Sequence, residues 1–120
     1  MAFADPQSVT LGSAISMPRI TLDNLSGTFA PADSTSELAI RHYLPGNRKR
    51  SVVKISRKKI STSPLTDLKS EESASITITI DRPKSNAFTE AELIELATGF
   101  NTWFSAGTNA NLKKLLGLES

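Results

Sequence analysis

From Ser73 to Asp81 the chain alternates without a fault: Ala74, Ile76, Ile78 and Ile80 on one side, Ser73, Ser75, Thr77, Thr79 and Asp81 on the other. Successive strand side chains point to opposite faces, so this run is a β-strand with one apolar and one wet face. Arg82-Pro83 ends it, and the period then changes. Leu93, Leu96, Ala97, Phe100, Trp103 and Phe104 recur at helical spacing. A half-wet strand followed by an amphipathic helix commits the chain to packed layers of sheet and helix.

The helix has a legible start. Thr89-Glu90-Ala91-Glu92 has the form of a capping box, with Phe88 and Leu93 placed as a hydrophobic staple around it. Gly107 is expected to close the helix, and a second short helix is expected from about Asn109 to Leu116. Upstream, Val9-Thr10-Leu11 and Ile20-Thr21-Leu22 suggest an N-terminal hairpin over residues 7–23, and Thr28-Phe29-Ala30 a short strand limited by Pro31. Leu38, Ile40, His42 and Leu44 alternate with Glu37, Ala39, Arg41 and Tyr43. Pro45-Gly46-Asn47 marks a turn into a strand from Arg50 to Ser56 that runs on toward Ile60. Arg57-Lys58-Lys59 breaks the alternation, which calls for a bulge there or for the end of the strand. Residues 61–72, polar and containing Pro64, are expected to form a long loop. The expected layout is α+β: antiparallel strands over residues 25–82 after the hairpin, then helices over 88–118, in one domain spanning 1–120.

Several function classes are excluded early. The chain has no cysteine and one histidine, His42, so disulfides, thiolate metal sites and multi-histidine centres are ruled out. No phosphate loop, dinucleotide fingerprint, nucleophile elbow or zinc spacing occurs. The expectation is therefore a protein that is not an enzyme and carries no metal or other cofactor. Glu71-Glu72 reads as solvent-exposed, His42 as a core or interface residue, and Trp103 and Phe104 as packing residues. No run approaches 18 apolar residues, and the first residues lack a basic region followed by an apolar stretch, so a soluble protein made in the cytoplasm, with no membrane partner, is expected. With 38% hydrophobic residues the core is lean, and partner surfaces are a natural supplement.

The net charge of +2 conceals an uneven distribution. No Asp or Glu occurs from Leu38 through Thr66, a window holding Arg41, Arg48, Lys49, Arg50, Lys54, Arg57, Lys58 and Lys59. A merely solvated surface mixes both signs, so one region here is built to meet a polyanion. Alternation directs Leu38, Ile40, Leu44, Val53, Ile55, Ile76, Ile78 and Ile80 toward the helices. It directs Arg41, Tyr43, Arg50, Val52, Lys54, Ser56, Ser75, Thr77 and Thr79 the other way. That open face combines cations for phosphates, hydroxyls for sugar and base edges, and one ring able to stack on an exposed base.

The order of strands and helices, together with the opening Met1-Ala2-Phe3-Ala4-Asp5-Pro6-Gln7-Ser8-Val9-Thr10, resembles the coat proteins of single-stranded RNA bacteriophages of the levivirus type, especially those of uncultured members. The likeness covers nearly the whole chain. It implies an N-terminal hairpin, a five-stranded antiparallel sheet and two C-terminal helices that reach across a dimer partner, the two sheets joining edge to edge. It further implies self-assembly into an icosahedral shell around single-stranded genomic RNA, formed in the bacterial host cytoplasm. RNA would lie on Arg41, Tyr43, Arg50, Val52, Lys54, Ser56, Ser75, Thr77 and Thr79, with capture of a translational-repressor hairpin. Leu93, Leu96, Phe100, Trp103 and Phe104 would be buried between subunits, and the loop at 61–72 would adapt to different symmetry axes. The competing expectation is a dimeric RNA-binding regulator that does not assemble.

Overall fold

Gly12 sets the first turn of the fold. In the computed structural model, which describes residues 3–66, 68–85 and 87–120, its φ of 82° lets the chain reverse between Leu11 and Ser13. The result is a tight hairpin of β1 (Gln7–Leu11) and β2 (Ser13–Met17). Met1 and Ala2 of the opening motif, Asp67 of the expected loop, and Asn86 lie outside the described residues.

The remaining strands are β3 (Arg19–Asp23), β4 (Ser26–Phe29), β5 (Ser36–Tyr43), β6 (Arg48–Thr62) and β7 (Lys69–Pro83), hydrogen-bonded in that order into a five-stranded antiparallel sheet. A single helical element, α1 (Glu90–Leu116), follows, so the class is α+β. The chain divides into two units, Met1–Arg82 with all but the last residue of the sheet, and Pro83–Ser120 with the helix.

The first unit has its core on one sheet face. Met17 and Phe29 are fully buried, beside Leu38 and Ile40, with Val9, Leu11 and Ile15 of the hairpin and Val53 and Ile55 of β6 packed around them. Burying an aliphatic or aromatic side chain of this size contributes about 1.5–3 kcal/mol, so the hairpin's apolar residues fix it to the sheet. Arg19 adds a clamp at the margin. Its guanidinium lies 5.2 Å from the centre of the Phe29 ring and donates to the Phe3 carbonyl, while its backbone N–H donates to Asp5 Oδ1 at 2.8 Å.

Three sequence expectations need correction. The hairpin pairs Val9-Thr10-Leu11 with Ser13–Ile15 rather than with Ile20-Thr21-Leu22, which belongs to β3 and pairs with β4. The small residues Ser13, Ala14 and Ser16 around Ile15 had hidden β2. The loop expected at 61–72 shrinks to residues 63–68, closed by Ser63 N–H donating to the Leu68 carbonyl at 2.9 Å. Arg57-Lys58-Lys59 therefore continues β6, and Glu71-Glu72 lies in β7 rather than in a loop. Both faces of these strand ends are exposed, and a strand wet on both sides has no reason to alternate. Finally, there is one helical element where two were expected. Ala106 to Asn109 leave helical geometry inside it, with Gly107, Thr108 and Asn109 all at positive φ, yet the helix resumes at once. Asn111 Nδ2 donates to the Trp103 carbonyl at 2.8 Å across this interruption. At the other end Thr89 Oγ1 accepts from the Glu92 N–H at 3.2 Å, as an N-cap does.

Candidate nucleic-acid interface

The sheet register decides which side chains share a face. Leu38 stands opposite Ile55 and Ile40 opposite Val53, both pairs on the core side. The intervening pairs, Ala39 with Lys54, Arg41 with Val52 and Tyr43 with Arg50, therefore look the other way. Glu37 opposite Ser56 joins them. On the neighbouring strands Ser26 pairs with Arg41, Thr28 with Ala39, Thr21 with Thr28 and Asp23 with Ser26, which extends the same face to β3.

Ion pairs locate β7. Arg48 Nε lies 3.0 Å and the Arg50 guanidinium 3.6 Å from the Asp81 carboxylate, and Lys58 Nζ lies 3.7 Å from Glu71. Even-numbered β6 residues thus face the same way as odd-numbered β7 residues at both ends of the pairing. Ser75, Thr77 and Thr79 fall on the cationic face, while Ile76, Ile78 and Ile80 fall on the core side.

The nine residues singled out from sequence are thereby brought together on one face. Tyr43 is 45% exposed, which leaves its ring free to stack; Arg41, Arg50, Lys54, Ser75, Thr77 and Thr79 are exposed, and Val52 and Ser56 half-buried. Sequence reasoning missed Arg48 and Lys58, because β6 begins before and ends after its expected bounds. It also missed Thr21 and Thr28, which only register reveals. Lys49, Arg57 and Lys59, by contrast, alternate onto the core side, so the basic window does not deliver all of its charge to one surface.

Pairing grades the cations that remain. Arg48 and Arg50 are engaged by Asp81 and Lys58 by Glu71, whereas Arg41 and Lys54 make no ion pair among the described residues. These two sit diagonally across the β5–β6 pairing, since Lys54 is two residues beyond Val52, the partner of Arg41. Like charges so placed repel, and a bound polyanion relieves that cost. Asp81 is held below the ordinary aspartate range, first by the hydrogen bond from Arg48, against an opposing effect of desolvation that the charges of Arg48 and Arg50 then help to outweigh. His42 lies on the core side, its Nδ1 3.0 Å from Ser51 Oγ, away from this face.

The residues expected at a subunit interface lie along α1. Leu93 and Phe104 are half-buried, while Leu96, Phe100 and Trp103 are 73%, 49% and 51% exposed. Phe100 and Phe104 stack with ring centres 5.7 Å apart. Among the described residues no group of acids and histidines could hold a metal ion, and no helix is long and apolar enough to cross a membrane.

Neither a protein-family model nor a curated protein sequence matches the chain. Solved structures do. The virus-like particle of bacteriophage AVE019 superposes with a TM-score of 0.75 at 8% identity, covering 87% of this chain and 88% of that one. The virus-like particle of Beihai levi-like virus 21 gives 0.70 at 14% identity over 96% of this chain and 94% of that one. An unassembled bacteriophage coat protein dimer, described as RNA-binding, gives 0.54 at 15% identity over 94% of each. The two-stranded hairpin, five-stranded sheet and C-terminal helix are thus the coat-protein fold of RNA phages.

Proposed function

We propose that this chain is a capsid protein that dimerises and self-assembles into an icosahedral shell enclosing single-stranded RNA. Together with the coat-protein fold, one observation carries the reading. The sheet's own unit leaves the core side of β7 open, with Ile76, Ile78 and Ile80 at 58%, 45% and 46% exposure, in the strand that ends the sheet. The hairpin covers β4 to β6 only. Among the described residues, the unit containing α1 holds no other strand or helix for the stripe of Leu93, Leu96, Phe100, Trp103 and Phe104. An apolar strand that its own unit leaves open and an apolar helical stripe whose own unit holds no other strand or helix are complementary needs, and a second copy supplies both. Two copies related by a twofold axis place the same surfaces in contact twice.

In this arrangement β7 edges meet, the helices lie across the partner's sheet, and the opposite face lines the shell interior. Arg41, Tyr43, Arg50, Val52, Lys54, Ser56, Ser75, Thr77 and Thr79 then hold RNA. Contacts of this kind are dominated by phosphate and so largely independent of sequence. A specific hairpin gripped by Tyr43 and the threonines would add translational repression. The chain performs no catalysis in this scheme.

The test is expression of the full chain alone, followed by negative-stain microscopy and nuclease-protected RNA extraction. Closed particles holding host RNA are expected. A stable RNA-binding dimer that never forms particles would instead identify a regulator, and a monomer at every salt concentration would end the capsid reading.

A further inference from the structure

Asp81 shares the cationic face with Asp23, Glu37 and Glu71, and among the described residues it is the acid that engages two cations at once. It stands at the Tyr43–Arg50 end of the face, and its two carboxylate oxygens take different arginines, Oδ1 accepting from Arg48 Nε at 3.0 Å and Oδ2 lying 3.6 Å from Arg50. The side chains involved are 47%, 45% and 37% exposed, so the group is open to solvent and to any ligand of the face. Solvent-exposed ion pairs hold weakly. Fold maintenance is therefore a poor explanation for an acid placed here.

We propose that Asp81 is a built-in competitor for RNA phosphate, occupying Arg48 and Arg50 until a phosphate displaces it and so restraining general RNA affinity at this end of the face. The inference rests on the RNA-binding reading above. A carboxylate and a phosphodiester present the same chemistry to a guanidinium, an anionic oxygen pair that accepts N–H donors. Displacement leaves Asp81 on the face still charged, which offsets one of the cations a phosphate would neutralise. Arg41 and Lys54, which make no ion pair among the described residues, make the first contacts, and only RNA whose backbone continues to β6 and β7 recovers Arg48 and Arg50. An RNA that reaches only the centre of the face gains nothing from them. The acid therefore converts a uniformly sticky surface into one that rewards a particular length and path of backbone.

The experiment compares the full chain with Asp81→Asn and Asp81→Glu for binding a short fluorescent single-stranded RNA, by anisotropy across a tenfold range of potassium chloride. Each additional neutralised phosphate steepens the logarithmic salt slope by about 0.7 for single strands, equal to about fivefold in affinity per tenfold change in salt. Asp81→Asn should bind more tightly at low salt with a slope steeper by about 0.7 to 1.4, for one or two liberated cations. Asp81→Glu should stay near the native slope, and adding Arg48→Gln with Arg50→Gln to Asp81→Asn should abolish the gain. An unchanged slope, or weaker binding by Asp81→Asn, overturns the competitor role while native binding upholds the RNA face. Absence of binding by the native chain removes the RNA reading and this inference with it.

Discussion

Replacing Arg41 and Lys54 together by glutamine isolates the cations of this face that make no ion pair among the described residues. Arg41 pairs across the sheet with Val52 and Lys54 with Ala39, and both cations are exposed. Glutamine keeps a polar chain without the charge, and exposed substitutions of this sort cost within about 0.5 kcal/mol of stability. If each cation neutralises one phosphate, the logarithmic salt slope should fall by about 1.4. At a tenth of the standard molar salt that loss corresponds to about 25-fold in affinity, close to 2 kcal/mol. Extrapolated to molar salt, where counterion release no longer drives binding, the native and substituted proteins should converge. Arg50 would be a poorer choice, because removing it also liberates charge on Asp81. The assay is anisotropy of a labelled, unstructured single-stranded RNA at several salt concentrations, with circular dichroism as a check on the fold. An affinity gap of constant size at every salt concentration, or no gap at all, would refute phosphate neutralisation by these two side chains.

Phe29→Ala should destabilise the fold by about 3–5 kcal/mol, read by denaturant melts, since the ring is fully buried at the meeting of hairpin and sheet. Trp103→Ala should weaken self-association by a similar 3–5 kcal/mol if a partner buries the indole. Sedimentation over a dilution series measures this, and undiminished dimers would remove Trp103 from the interface. A carbon-detected NMR titration of Asp81 should give a pKa below the ordinary aspartate value of 3.8, returning toward it in Arg48→Gln with Arg50→Gln. Because the folded value is the lower one, the arginine pairing is fully present above 3.8 and is lost as pH falls through the folded pKa. A native Asp81 titrating at or above 3.8 would mean that the arginines do not hold it in solution.

What the sequence revealed follows from where water is excluded on one side only. The run from Ala74 to Ile80 and the segments around Leu38–Ile40 and Val53–Ile55 alternate because one face is apolar, and the register aligns them as their alternation requires. The N-cap at Thr89 was legible because its chemistry is local. Where both faces are wet, as from Arg57 to Thr62 and from Lys69 to Ser73, alternation is lost and a strand looks like a loop. The hairpin was misassigned for a related reason: its pairing depends on a single glycine turn, and Ser13 and Ser16 dilute the apolar signal of Ile15 and Met17. In the candidate site, residues on one strand could be grouped by parity, but the Arg48–Asp81–Arg50 cluster spans 33 residues of sequence and exists only through pairing. The helix interruption at Ala106–Asn109 was visible as Gly107, and the helical stretch after it as the second helix expected from about Asn109 to Leu116.

The apolar face sets the strongest demand for association. A long edge strand bearing alternating large hydrophobics is an aggregation hazard, usually blunted by charge, proline, brevity or cover. β7 has 15 residues, and its charged stretch of Lys69, Glu71 and Glu72 lies at the loop end, while Ile76, Ile78 and Ile80 occupy the other half. Asp81, Arg82 and Pro83 guard only the end of that half, beyond Ile80, and Asp81 faces the cationic side, engaged by two arginines. Charge therefore does not protect the isoleucines, and the hairpin does not cover them. The uninterrupted helical stretch from Glu90 to Ser105, which carries the apolar stripe, is about 24 Å long at 1.5 Å per residue. Ile76 to Ile80 spans about 13 Å, at about 3.3 Å per residue. Supplied by a second copy, such a helix covers the exposed isoleucines and continues beyond them, while the paired β7 edge satisfies the backbone groups that a lone sheet leaves facing water.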